Sequence, residues 1–317
     1  MKLRLGPVLY NWDPEAWRDF YFRIADEAPV DTVCVGEVVC SKRLPFVQDL
    51  VPEVVERLTA AGKAVVLSSL ALVTLERERR QTASLMRDGD LLVEANDVTG
   101  LVHLAGRPHA VGPYVNVYNE ATLAWLARNG ARLVCLPPEL PAASIAALAS
   151  ACPDVDLEIW SFGRVPLAIS ARCYHARLHK LTKDNCQFVC GKDPDGLAAD
   201  TLDGQAFLSV NGVQTLSSTY ANLIGSLAEL ASMGVTSCRL SPQTCDMVAV
   251  ANAFRGVADG ALDPAEGQHA LARICGGISF SNGFLSGDAG VRYQADAIDR
   301  ITGGPPEAIH GAGLVGG

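Results

Sequence analysis

The sequence predicts an α/β protein with a (β/α)8 TIM-barrel-like fold and a cysteine-bearing insertion after the seventh strand. Short runs rich in β-branched and apolar residues alternate with longer segments of helical period. Most of these runs are apolar throughout, which is typical of parallel strands covered by helices on both faces. A chain of 317 residues also has room for one barrel of about 250 residues with an insertion.

Eight apolar runs are the candidate barrel strands, and a short alternating run, Lys2 to Leu5, precedes the first of them. The candidates are Pro7–Tyr10, Thr32–Gly36, Ala64–Leu70, Leu91–Glu94, Ala110–Val117, Arg132–Leu136, Leu157–Ser161 and Ser237–Leu240. We expect them to form a closed barrel, and an open, doubly wound sheet is the alternative architecture.

Amphipathic segments between the strands are the candidate helices. They include Leu44–Ala61, Glu120–Asn129, Ala142–Ala151 and Ala221–Met233. Asp13 followed by Pro14 is a start signal for the first helix, and Gly62 and Gly130 are stop signals for two others.

The regular spacing of strands breaks once, over residues 162–235, which we interpret as an insertion. Asn211-Gly212 predicts a hairpin within it. The insertion follows the seventh strand, on the face where barrel enzymes carry out their chemistry. We therefore expect one domain over residues 1–302, and a disordered Gly/Pro-rich tail over residues 303–317.

The composition indicates which cellular compartment to expect and which partners are disfavoured. With 26 Lys and Arg against 35 Asp and Glu, the net charge of −9 disfavours nucleic acid as a partner. No targeting segment is evident, and the longest apolar run, Ala64 to Val73, is too short to cross a membrane. We expect a cytoplasmic protein, in which the ten cysteines are core thiols, metal ligands or redox groups rather than disulfides.

Four cysteines form a candidate ligand set. Cys173, Cys186 and Cys190 follow a C-x12-C-x3-C spacing, and Cys40 stands in the stretch GEVVCSKR just after the second strand. Such positions meet at the C-terminal rim of a barrel, so the four thiolates are a plausible set for a [4Fe–4S] cluster. Cations that suit an anionic centre flank them: Lys42, Arg43, Arg172, Arg177, Lys180 and Lys183.

Spacing alone does not choose the metal, and a tetrahedral zinc site is the alternative. Structural zinc more often uses paired C-x2–4-C motifs, whereas Cys40 stands alone, which favours iron–sulfur. The remaining cysteines are interpreted as small core residues. They are Cys34, Cys135, Cys152, Cys238, Cys245 and Cys275.

Ten stretches in order, from Leu5 to Gln243, resemble the collagenase-like peptidase family, in its members that act in oxygen-independent ubiquinone biosynthesis. The stretches are LGPVLYNW, GEVVCSKR, VVLSSLALV, LLVEANDV, NVYNEATL, CLPPEL, SFGRVPLAISARC, DNCQFVC, VNGVQT and CRLSPQ. The resemblance places the cluster ligands of those members on Cys40, Cys173, Cys186 and Cys190. Nothing beyond about residue 275 resembles a stretch that we can place.

This resemblance implies a [4Fe–4S]-binding subunit of a hydroxylase that acts on the ubiquinone precursor ring without O2. It implies a heterodimer with a UbiU-like subunit, a UbiT-like lipid-carrier protein and prephenate as the oxygen donor. The cysteine signature of the peptidase members is not reproduced around Cys173, so proteolysis is not supported. A non-catalytic subunit stabilised by its cluster and an RNA-base hydroxylating relative are the alternatives.

Several polar residues near the expected rim are candidates for chemistry. Glu37 is a candidate general base, and Arg43, Arg172 and Arg239 are candidate donors to substrate carboxylates. The alternatives are a loop-closing hydrogen bond for Glu37 and ordinary rim salt bridges for the arginines. His175 and His179 could move protons, but we expect exposed loop residues. The other candidates on the rim are Asn96, Asp97, Asn116, Asn119 and Glu139.

Overall fold

Eight parallel strands close into a barrel in the computed structural model of the chain, which describes residues 1–87, 89 and 91–294. In that part, the strands are β1 (Lys2–Leu5), β2 (Thr32–Val35), β3 (Ala64–Ser68), β4 (Leu92–Ala95), β5 (His109–Val111), β6 (Ala131–Cys135), β7 (Asp156–Ile169), β8 (Leu197–Asp200), β9 (Ala206–Asn211), β10 (Gln214–Asn222), β11 (Ser237–Leu240) and β12 (Phe280–Ser281). The barrel consists of β1 to β7 and β11, and β11 closes it by pairing with both β1 and β7. The predicted (β/α)8 fold is confirmed, and the open sheet is excluded.

Helices lie between most of the barrel strands and cover the sheet. They are α1 (Pro14–Glu27), α2 (Leu44–Val47), α3 (Val51–Ala60), α4 (Glu76–Arg87), α5 (Val98–Leu104), α6 (Glu120–Arg128), α7 (Ala142–Ala151), α8 (Tyr174–Leu178), α9 (Leu227–Ser232), α10 (Met247–Ala258) and α11 (Pro264–Ile274), with 3-10 turns at Pro113–Val115, Val189–Lys192 and Ile224–Ser226. Asp13 caps α1, as predicted, because its Oδ1 accepts hydrogen bonds from the amides of Glu15 and Ala16.

Two predicted strands have different boundaries in the structure. Pro7–Tyr10 is a buried loop rather than a strand, and the first barrel strand is the preceding run, Lys2–Leu5. The loop is apolar because it is buried, and one of its carbonyls, at Leu9, accepts from side chains rather than from a neighbouring strand. The strand predicted over Ala110–Val117 ends at Val111, because Pro113 begins a 3-10 turn.

Two predicted helices are also shorter than expected. The segment Leu44–Ala61 forms two helices, α2 and α3, rather than one. The segment Ala221–Met233 begins as the end of β10, because Ala221 pairs with Gly163 of β7, and its helical part is α9. Tertiary strand pairing overrides the helical pattern there.

The insertion is built on an extension of β7. The first half of β7 pairs in parallel with β6 and β11 in the barrel, and the second half pairs antiparallel with β10. Strands β8, β9 and β10 form an antiparallel sheet, and the predicted hairpin at Asn211-Gly212 joins β9 to β10. Gly163 marks the passage between the two halves with a φ of 100°, and a Cβ there would lie 2.9 Å from the Ser241 carbonyl oxygen.

Charged residues occupy the interior of the barrel. Arg4 of β1 and Arg239 of β11 each pair with Glu94 of β4 and Glu158 of β7, and all four side chains are buried. The rim position expected for Arg239 was therefore wrong: this side chain points into the barrel, and its carboxylate partners are neither Glu37 nor Glu139. We call these four residues the barrel quartet.

A close approach of β2 and β3 requires glycine at position 36, immediately before the loop that carries Cys40. Gly36 has a φ of 142°, and a Cβ there would lie 2.4 Å from the Ser68 carbonyl oxygen. We expect Gly36→Ala to lower the free energy of unfolding by about 1–3 kcal/mol, because backbone must move to relieve the contact. Urea unfolding measures the change.

Gly62→Ala is the matched control, because Gly62 also has a positive φ, 77°, but nothing lies within 4 Å of the added Cβ. The Gly62→Ala variant therefore has the energetic cost of the left-handed conformation but no contact between the added Cβ and a carbonyl oxygen. Equal losses in the two variants would contradict the role assigned to the contact between β2 and β3.

Within the described residues, no helix is both long and apolar enough to cross a membrane. The disordered tail expected over residues 303–317 lies outside the described residues.

Candidate functional site: a cysteine recess beside the barrel mouth

Three cysteines of the insertion and a fourth that is remote in sequence, Cys40, line one recess between the barrel and the insertion. Its lining residues are Cys40, Lys42, Arg43, Cys173, Lys183, Cys186, Phe188, Val189, Cys190, Gly212 and Val213. The four cysteines selected from the sequence therefore lie together, and we call this feature the cysteine recess.

The Cys40 loop is held by a buried carboxylate. Glu37 Oε1 accepts hydrogen bonds from the amides of Val39 (2.7 Å) and Cys40 (2.9 Å). Burial raises the pKa of the Glu37 carboxyl, although Arg43 and these two amides oppose the shift. Glu37 thus closes the loop by hydrogen bonds, which is the alternative considered for it from the sequence.

Cys173 lies at the beginning of α8, where its Sγ accepts from the Ala176 amide at 3.4 Å. It is buried in an apolar cluster that joins the barrel to the insertion. Other members of this cluster are Val38 and Val39 of the Cys40 loop, Leu216 of β10, and Val213 immediately before that strand. The packing of β10 against the barrel therefore also fixes the positions of Cys173 and Cys40.

A tight turn brings Cys186 and Cys190 to the same side. Gln187 and Phe188 have positive φ values of 47° and 51°, and the Val189 amide donates to the Cys186 carbonyl at 3.2 Å. The side chain of Phe188 packs edge-on against Phe46, with ring centroids 4.6 Å apart. This aromatic contact joins the turn to α2.

Three cations line the recess with the thiols. Arg43 is buried and donates to the Leu9 carbonyl (3.0 Å) and to Asn211 Oδ1 (2.6 Å). Lys42 Nζ donates to the Lys183 carbonyl at 2.6 Å. By contrast, Arg172, Arg177 and Lys180 are exposed and do not line the recess.

Burial affects the acidity of two of the four thiols, Cys40 and Cys173. Burial raises the pKa of Cys40, and Arg43 offsets part of that rise. Burial likewise raises the pKa of Cys173. A metal that binds here must therefore displace protons, and its binding is expected to strengthen as the pH rises.

A second cavity opens at the barrel mouth next to the recess, with a volume of about 780 Å³ up to its opening. Its polar groups include Asn116, Glu139 and the two tyrosines Tyr114 and Tyr118. The hydroxyl of Tyr118 donates to Glu139, and burial and this carboxylate raise the pKa of Tyr118 to about 12. We call this feature the mouth cavity.

The other residues expected on the rim have structural roles. Asp97 and Asn119 cap α5 and α6 by accepting from the amides of Thr99 and Thr122. Asn96 is buried and donates to the Ser69 carbonyl and to Glu94. The sequence reasoning missed Tyr114 and Tyr118, although both flank Asn116, which it had selected.

A family model described as Peptidase family U32 matches residues 18–294. The chain belongs to the peptidase U32 family. The match covers most of the chain, including the four cysteines and the insertion, and it confirms the family expected from the resemblance.

At Cys40 and Cys173, the recess does not provide the environment that a cysteine nucleophile needs. Nucleophilic cysteines require a lowered pKa, which stabilises the thiolate. Burial instead raises the pKa of Cys40 and Cys173. Four thiols around one recess are more typical of metal–sulfur ligation than of peptide-bond attack.

Proposed function

We propose that this U32 family chain is a UbiV-like subunit that holds a [4Fe–4S] cluster and acts in oxygen-independent hydroxylation of the ubiquinone precursor ring. The observation that carries the proposal is the convergence of Cys40, Cys173, Cys186 and Cys190 on one recess with three cations. A cuboidal cluster bound by four thiolates is anionic, so nearby cations stabilise it.

The spacing of the thiols favours a cluster over zinc. Four thiolates on one zinc ion lie about 3.8 Å apart, since the tetrahedral Zn–S bonds are about 2.3 Å long. Among the described residues, the groups of three or more ligating side chains with ligand atoms within 4.8 Å of one another do not include the four cysteines. A spacing wider than one zinc ion requires suits thiolates that bind the separate irons of a metal–sulfur group.

The residues of this chain hold and tune the site. A bound cluster supplies one-electron redox chemistry. Arg43 compensates negative charge from inside the protein, while Lys42 and Lys183 do so from the edge of the recess. Glu37 keeps the Cys40 loop in the ligating conformation through its two amide hydrogen bonds.

With all four cysteines as ligands, no iron is left open to substrate, so the cluster serves electron transfer or structural support rather than Lewis-acid chemistry. The mouth cavity is the candidate site for the aromatic ring, since Tyr114 and Tyr118 offer aromatic faces and Asn116 offers an amide. The apolar cluster that contains Cys173 also packs against Tyr114, and thereby connects the recess to this cavity.

The reaction needs partners. We propose a UbiU-like subunit as the heterodimer partner, prephenate as the oxygen donor and a UbiT-like protein as the carrier of the lipid substrate. The exposed guanidinium of Arg172 lies one residue from Cys173 and is available to a carboxylate of a donor or of the partner.

The test measures iron and acid-labile sulfide in protein purified without oxygen. It then measures hydroxylation of the precursor, with prephenate supplied as the oxygen donor, for each subunit alone and for both together. We expect about four iron and four sulfide per chain, and activity only when both subunits are present. Zinc without sulfide would contradict the cluster. Full activity from this chain alone would contradict a shared catalytic site.

A non-catalytic role for this subunit is the second candidate, and the packing of Cys173 in the apolar cluster between the barrel and the insertion favours it, because a cluster bound there would contribute directly to stability. Its expected result is different: cluster loss disrupts the heterodimer, and the precursor does not bind to this chain alone. Equilibrium dialysis with the precursor separates the two roles.

A further inference from the structure

Two histidines and one aspartate form a separate cluster within the insertion. His175 is in α8, and His179 follows four residues later at its end, so both side chains lie on one face. Their rings are stacked, with centroids 5.5 Å apart and planes at 11°. Asp193 follows the 3-10 turn Val189–Lys192 and comes to the same place. One ligand atom from each of the three lies within 4.8 Å of the other two.

The central histidine of the cluster is paired with the aspartate. His175 is fully buried, which corrects the expectation of an exposed loop residue, and His179 is exposed as expected. The Nε2 of His175 lies 2.9 Å from Asp193 Oδ2, so a nitrogen and an oxygen that can both bind a metal ion already face each other.

We propose that His175, His179 and Asp193 bind a divalent transition-metal ion at a site distinct from the cysteine recess. Two imidazoles and a carboxylate are ligands for zinc and ferrous iron, whereas magnesium and calcium prefer oxygen ligands throughout. Three protein ligands would leave at least one coordination position open to water or another ligand.

The site also has a mechanical consequence for the neighbouring cysteines. Helix α8 begins directly after Cys173, and the 3-10 turn before Asp193 contains Cys190. An ion bound by the three side chains joins these two segments. The inference does not require a cluster in the recess, so it stands or fails independently of the proposed function.

The test uses the full chain, purified without oxygen, with its iron and sulfide content measured first. Zinc is titrated calorimetrically into the wild type, into His179→Ala and into His103→Ala. His103 is the matched control because it is an exposed histidine on α5, away from the insertion. Whether or not the cysteine recess takes up zinc as well, we expect the wild type and His103→Ala to share a zinc site that His179→Ala weakens beyond the about 10–100-fold that changes around metal ligands cost.

Two further measurements locate the ion. Asp193→Asn keeps the size of the side chain and is expected to weaken zinc binding as well. Cobalt(II) in place of zinc is expected to give visible bands of nitrogen and oxygen ligation in the wild type. Strong thiolate-to-cobalt charge transfer would place the ion on the cysteines and overturn the proposal. Equal zinc affinity in the wild type and in His179→Ala would also overturn it.

Discussion

Replacing Cys186 with alanine is expected to remove nearly all iron and sulfide from protein purified without oxygen. The variant leaves three thiols around the recess, and the wild type is expected to contain about four iron and four sulfide per chain. The broad visible absorption of the cluster is expected to disappear with the metal. Elemental analysis, sulfide determination and a visible spectrum measure the change.

Cys152→Ala is the matched control. Cys152 is half-buried at the end of α7, and it does not line the recess. It is therefore expected to leave the iron and sulfide contents unchanged. If Cys186→Ala retained the wild-type content, Cys186 would not be a ligand; if both variants lost the metal equally, the loss would reflect instability rather than ligation.

A substitution in the barrel quartet is expected to have a large effect on the stability of the protein. Arg239→Met is expected to lower the free energy of unfolding by about 3–5 kcal/mol, because Glu94 and Glu158 lose the guanidinium that pairs with both of them in the barrel interior. Arg79→Met is the control, since Arg79 forms an exposed pair with Glu76 at 3.1 Å, and we expect a loss below about 1 kcal/mol. Guanidinium unfolding of both variants measures the difference.

Because of the same quartet, we expect the free energy of unfolding to depend on pH. Burial alone raises the pKa of Glu94, but Arg239 and other donors outweigh it and hold the pKa below its usual range. A lowered carboxyl pKa contributes stability above the pKa of the unfolded chain, and this stability is lost as the pH falls through the pKa of the folded protein. In Arg239→Met, this acid-dependent loss is expected to shrink. Unchanged acid sensitivity in the variant would assign the effect to other carboxyls.

If Arg239→Met did not fold, Glu94→Gln would serve as a second variant, because it removes one charge and keeps the shape of the side chain. It is expected to destabilise the protein and to reduce the dependence of stability on pH between neutral and acidic conditions. A loss no larger than that of Arg79→Met would contradict the importance assigned to the quartet.

The barrel could be predicted because its strands are short and buried on both faces, so local composition suffices to locate most of them. The prediction of a strand over Pro7–Tyr10 was wrong because burial and strand pairing are separate properties, and the apolar pattern of the sequence indicates only burial. Ionic residues inside the barrel were harder to predict. Glu94, Glu158 and Arg239 each stand in a predicted strand, but no pattern specifies which face they occupy or which partner they meet.

The cysteine recess could be predicted in outline because the loops after parallel strands converge on one rim. Its details depend on turns that the sequence specifies weakly. The left-handed residues Gln187 and Phe188 reverse the chain, and Asp193 then reaches His175. No spacing rule links an aspartate to histidines across such a turn. Tyr114 and Tyr118 were missed for a similar reason, since their positions depend on the 3-10 turn after β5.

One strand, β7, belongs to both the barrel and the insertion, and this shared strand limits how the protein can move. A separate lid would need a hinge, but hydrogen bonds to β6, β11 and β10 accompany β7 along its length, and Ser241 fills the space beside the bend at Gly163. The insertion is therefore continuous with the barrel through one strand rather than attached by a separate linker. The segment that carries Cys173, Cys186 and Cys190 follows that same strand in the chain, so the barrel and three of the four recess cysteines share one anchor.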